Sequence, residues 1–94
     1  MEIRDIIWID LFVDKIWNKH HVEIDEVGEV FKSSPKIRFI EEGDVEGEDM
    51  YAAMGQTRNG RYLLVFFVLK KNGSALVVSA RDMTKKERRL YEKK

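Results

Sequence analysis

Cysteine is absent from this 94-residue sequence, proline occurs once and histidine twice. Without cysteine, neither a disulfide framework nor a thiolate metal site is possible. The two histidines, His20 and His21, are neighbours, and no carboxylates stand at ligand spacing to join them on one helix face, so no metal centre is expected. Nothing in the residue pattern calls for a cofactor. Long apolar runs are missing as well: the longest, Tyr62 to Leu69, is far too short to span a bilayer. Arg4, Asp5 and Asp10 interrupt the stretch from Ile3 to Val13, which is unlike a secretory signal, so a cytoplasmic protein with no membrane partner is the default expectation. No repeat, low-complexity segment or linker divides the chain, and residues 1–94 are expected to form one domain burying about 60 to 65% of the unfolded surface. A hydrophobic share of 44% supplies a core, and the 36% of charged residues are mixed in sign, which argues against global disorder.

What is present is an uneven distribution of charge. The formal net charge of zero hides halves of −8 and +8: residues 1–50 carry six basic and fourteen acidic side chains, and residues 51–94 carry eleven basic and three acidic. The final stretch, Arg81 to Lys94, holds seven of the seventeen Lys and Arg. Such asymmetry points to an anionic partner for the basic part, nucleic acid being the commonest, with the acidic half folded away from it.

The pattern of apolar residues predicts an α+β fold. Ile3 and Ile6 to Ile9 read as a first strand, and Asp10 offers a cap. Phe12, Val13, Ile16 and Trp17 then line one stripe of a short helix ending near Lys19 and His20. Ile24, Val27, Val30 and Phe31 mark a second helix, with Glu23, Asp25 and Glu26 in its first turn and Ser33, Ser34 and Pro35 closing it. Beyond Pro35 the period becomes that of strands: Ile37 and Phe39, an acidic turn from Gly43 to Gly47, then Met50, Ala52 and Met54. Arg58, Asn59 and Gly60 read as a hairpin in which Asn and Gly tolerate positive φ. Tyr62 to Leu69, apolar on both faces, reads as a central strand, and Ala75 to Arg81 as the last. Thr84 and Glu87 fit a capping box, so the basic tail should begin as a helix. The expected order is a strand, two helices, a four-stranded antiparallel meander and a basic C-terminal helix.

The run from Ser79, Ala80 and Arg81 through Thr84, Glu87, Arg88 and Tyr91 resembles the C-terminal signature of the BrnT family of bacterial toxins. Upstream, Lys19, His20 and Val22, then Glu29, Val30 and Phe31, then Gly47 and Glu48, Ala53 and Gly55, and Gly60 and Arg61 match family positions in the same order. The resemblance covers nearly the whole chain. It implies a small ribonuclease toxin with a RelE-like fold, encoded beside an antitoxin that silences it. That antitoxin is expected to carry a ribbon-helix-helix element, so that DNA is reached only through it. Three departures stand out: His21 where the family has Gly, Met50 where Arg is common, and Leu76 near another frequent Arg.

A metal-independent ribonuclease lets a ribose 2′-hydroxyl attack the adjacent phosphate, and needs a base, an acid and cations that stabilise the developing phosphorane charge. Arg61 and Arg81 are the leading cation candidates. They flank what the pattern reads as a hairpin, so their ends are expected to lie close together; the alternative is that they pair with acids such as Glu48 or Glu87. Lys85, Arg88 and Arg89 lie within helical reach of one another and suit phosphate binding, against the alternative of a solvated face. His20 is the candidate proton carrier, or else a cap for the helix it ends. Tyr91, following the basic run, suits base stacking or proton donation. His21 falls at a helix end where Gly would be less strained. Leu90 and Met83 are expected to hold the last helix to the sheet, and Glu87 to serve as partner of Thr84. Two other readings stay open: a homologue without catalysis that serves as the antitoxin's partner in operon repression, and an RNA-binding module without chemistry.

Overall fold

In the computed structural model, which describes residues 1–93, the elements follow in the order β1 (Asp5–Ile7), α1 (Asp10–His20), α2 (Ile24–Lys32), β2 (Lys36–Glu41), β3 (Met50–Gln56), β4 (Tyr62–Leu69), β5 (Ser74–Asp82) and α3 (Lys85–Glu92). Lys94, the last cation of the basic stretch, lies outside the described residues. The expected meander is present as antiparallel β2 to β5, but it is not the whole sheet. β1 pairs in parallel with β5, giving a five-stranded mixed sheet of order β1-β5-β4-β3-β2. A parallel partner requires a long crossover, which here is the rest of the chain.

The core lies between the sheet and the α1–α2 layer. Leu63, Val65 and Phe67 alternate along β4 toward Ile16, Val27 and Val30, and all are essentially fully buried. The intervening Leu64 points to the other face, where it joins Ala52 and Met54 in a second cluster beneath α3. Apolar character on both faces of β4 thus reflects two covering layers. Gly55 lets α2 approach β3: an added Cβ would stand 2.8 Å from Ser33 Oγ and 2.9 Å from Val30 Cγ1, inside contact distance.

Several local expectations are corrected. The first strand is short, and Ile3 and Trp8 pack on the core from outside it. Ile9, not Asp10, occupies the N-cap position of α1; Asp10 instead contributes its charge within the first helical turn, where the helix dipole favours it. The hairpin after β3 closes with the Gly60 N–H donating to Thr57 O at 3.0 Å, and positive φ is needed only at Gly60 (φ 88°), not at Asn59. His21 does end α1 in the left-handed region, at φ 52° and ψ 42°. Leu90 is 45% exposed; Met83 packs against the second cluster, and Tyr91 takes the anchoring place expected of Leu90. Among the described residues no helix is long and apolar enough to cross a membrane.

Candidate functional site

The basic helix is assembled from its first turn. The Thr84 hydroxyl accepts from the Glu87 N–H at 3.1 Å, and the Glu87 carboxylate accepts from the Thr84 N–H at 2.8 Å, the reciprocal box read from the sequence. The same carboxylate takes a two-pronged contact from Arg81, at 2.7 and 2.9 Å. That guanidinium, with the Thr84 contacts behind it, holds the Glu87 carboxyl down at about 2, and the pair in turn raises the pKa of Arg81. Arg81 also donates to Asp82 O at 3.1 Å and stands 5.7 Å from the Phe66 ring. A guanidinium has five N–H donors. Among the described residues, the Arg81 Nε–H and one Nη2–H have no protein acceptor.

The rest of α3 docks through aromatic rings and one lysine. Tyr91 meets Tyr62 edge to face at 5.9 Å, and the Arg88 guanidinium lies 3.9 Å from the Tyr62 ring while Nε donates to Glu92. Lys36, from β2, donates through Nζ to the carbonyls of Tyr91 and Lys93 and sits 5.4 Å from the Tyr91 ring. It therefore caps the helix end, where a cation complements the dipole. Lys85 and Arg89 are exposed on the helix surface.

Arg61 is arranged differently. Its Nε and Nη2 grip Asp82 at 2.8 and 3.1 Å, Nη1 reaches His21 O at 2.8 Å and Glu26 at 3.1 Å, and Nη2 reaches His20 O at 2.9 Å. All five donors are engaged. The group is locked further into its charged form, chiefly by the Asp82 hydrogen bonds; the same contacts depress the Asp82 pKa, with the nearby His20 charge adding to them. Arg61 thus ties the C-terminal carbonyls of α1 to the first turn of α2 and the end of β5.

The structure divides the predicted site residues. Arg61 and Arg81 share one end of the β4–β5 hairpin but project to opposite faces: Arg81, opposite Leu64, belongs to the α3 side, and Arg61 to the α1–α2 side. The expectation that they lie close together is corrected on this point, because a difference in strand parity decides the face and sequence distance does not. Arg81, Tyr91, Lys85, Arg88 and Arg89 stand on the α3 side; Arg61 and His20 stand on the other. The alternative reading, in which the two arginines pair with acids, is found for both: Arg81 pairs with Glu87, and Arg61 with Glu26 and Asp82, whereas Glu48 pairs with Lys70 at 2.8 Å. The contributions of Lys36 and Phe66 were missed. Lys36 lies 55 residues before Tyr91 in the chain, and no local pattern signals such a contact.

The described residues form a small α+β fold with a cationic helix docked on one face of its sheet and, at the helix foot, an arginine with two donors that meet no acceptor among them, an arrangement suited to an anionic ligand. The family model described as ribonuclease toxin, BrnT, of type II toxin-antitoxin system matches residues 13–87. The chain belongs to this family of ribonuclease toxins. Its structure is similar to the crystal structure of the Brucella abortus ribonuclease toxin BrnT, with a TM-score of 0.65 at 20% identity, over 86% of this chain and 97% of that one. No curated protein sequence matches significantly.

Proposed function

We propose that this protein, acting as one domain in the cytoplasm, is a metal-independent endoribonuclease that cleaves RNA and so arrests translation, and that a cognate protein antitoxin of the ribbon-helix-helix kind neutralises it. DNA is contacted only through that antitoxin. The RelE-like reading rests on antiparallel β2–β5 behind a helical layer, to which β1 adds a parallel fifth strand. The observation that carries the functional reading is Arg81: it is held by Glu87 at the foot of α3, with two N–H groups unused among the described residues and the cations Lys85, Arg88 and Arg89 beyond it.

In this reading α3 grips the phosphates on either side of the scissile bond, and Arg81 turns its free donors to the scissile phosphate. The 2′-oxygen forms its bond to phosphorus as the bond to the 5′-oxygen breaks. The 2′-proton leaves to solvent base, and the departing 5′-oxygen gains a proton from water or Tyr91. Arg81 stabilises the charge that builds on the non-bridging oxygens, and preorganised cations of this kind are worth several kcal/mol. Tyr91 also offers an edge for a base. Arg61, with no free donor, holds the end of β5 and thereby positions Arg81. His20, on the opposite face, supports that framework through its carbonyl and transfers no proton.

The test is growth after inducing wild type and Arg81→Ala in a bacterial host lacking the antitoxin, with RNA ends mapped in parallel. Growth arrest and new RNA ends with wild type only are the expected result. If neither chain affects growth although both are soluble, catalysis fails for this protein, and an antitoxin partner that serves only in repression becomes the reading. Met50, in the place of a common family Arg, favours that second reading.

A further inference from the structure

The α1–α2 layer carries a surface that the proposed chemistry does not use. Trp17 is 47% exposed and Ile24 42%, both in the α1–α2 layer rather than on the α3 side of the sheet. Between the end of α1 and the start of α2 they border a notch of about 380 Å³, walled by Val13, Trp17 and Ile24. The Trp17 ring is fixed there by an edge-to-face contact with His21, centroids 5.3 Å apart and planes at 89°, so His21 both ends the helix and steadies the tryptophan. The notch rim bears Asp14, Glu23 and Asp25 and no cation, and none of these three is in an ion pair among the described residues.

An exposed aromatic beside further apolar side chains and ringed by unpaired carboxylates is costly to leave in water and is a usual place for binding energy to concentrate. Nucleic acid is excluded as occupant, since the rim would repel its phosphates. Lipid headgroups that are anionic are excluded for the same reason. The chemistry that fits is a cationic polypeptide with one large apolar side chain, the anchor entering the notch and Lys or Arg meeting the rim. We propose that the notch beside Trp17 is a docking site for a cationic peptide segment of a partner protein that inserts an apolar anchor. The site stands independently of the α3 chemistry, and an occupant here leaves Arg81 uncovered.

The experiment titrates full-length protein with a synthetic helical peptide carrying Lys on one face and Leu at i, i+3, i+4 and i+7, and with the same peptide bearing Glu for Lys. Calorimetry and the two indole NMR signals are the readouts. The Lys peptide is expected to bind and to move the Trp17 indole signal but not that of Trp8, while the Glu peptide does not bind. Trp17→Ser should weaken binding about tenfold or more. Asp14→Asn with Asp25→Asn should weaken it about three- to tenfold and flatten its salt dependence. These side chains lie at the surface, so the variants retain the fold, which circular dichroism checks. Glu42→Gln with Glu46→Gln, in the acidic β2–β3 loop, should leave affinity unchanged. The proposal is overturned if the loop variant weakens binding as much as the notch variants, if both peptides bind alike, or if a Trp17-dependent dimer forms without peptide and excludes it.

Discussion

Arg61 shows how a single guanidinium can organise a junction. It satisfies two carbonyls that the end of α1 would otherwise leave open and neutralises two carboxylates from different elements. Replacing it with alanine strands all four, so Arg61→Ala is expected to lower stability by about 2 to 4 kcal/mol, measured by urea unfolding. Arg61→Lys should recover only part of this, because an ammonium cannot reproduce the fork. Arg81 and Glu87 make a pH-dependent prediction. The Glu87 carboxyl titrates near 2 in the folded chain against 4.5 ordinarily. A depressed folded pKa contributes stability above the unfolded value, and this is lost as pH falls from about 4.5 through about 2. Glu87→Gln should therefore be less stable than wild type at neutral pH by about 2 kcal/mol, with the gap narrowing across that acid window. For catalysis, the absence of His20 from the Arg81 face predicts that His20→Ala retains the pH dependence of cleavage, read from initial rates on a short RNA between pH 6 and 9. A lost limb near neutrality would return His20 to the reaction.

At the level of elements, α1 ends at a residue poorly suited to its backbone. His21 adopts φ 52°, which glycine tolerates better. His21→Gly removes that strain but also the contact with Trp17, so the expected net gain is about 0.5 to 1 kcal/mol, measured as a rise in thermal midpoint. The last helix has no buried residue and is held by the capping box, Tyr91 and Lys36. Lys36→Ala should accordingly raise amide hydrogen exchange in the last turn of α3 several-fold while leaving β4 protected. Helices α1 and α2 and the four later strands were legible from periodicity, and the Thr84–Glu87 box from spacing alone. The pairing of β1 with β5 was not, since three residues beside a strand some seventy positions later carry no local mark of their partner. Nor was the anchoring of α3 by Tyr91 in place of Leu90, because spacing within the helix does not say which of its stripes meets the sheet.

Across the whole molecule, the charge split along the chain becomes a split across the sheet. The acidic first half supplies the α1–α2 layer and the β2–β3 loop, and the basic second half supplies α3. RNA affinity should therefore fall steeply with salt, by about 0.7 log units per log unit of salt for each phosphate engaged. Lys85→Ala with Arg89→Ala should reduce that slope by about one to two phosphates' worth. Composition and local spacing determined the α+β class, the main helical and strand patterns, the Thr84–Glu87 cap and the cationic end, because each depends on neighbours within a few residues. Only the tertiary structure decided that Arg61 and Arg81 face opposite ways, that Arg61 spends every donor on the protein while Arg81 keeps two with no acceptor among the described residues, and that Lys36 closes the last helix. Those outcomes follow from strand register and from contacts between residues far apart in the chain, where one step of parity moves a side chain from one face of the sheet to the other.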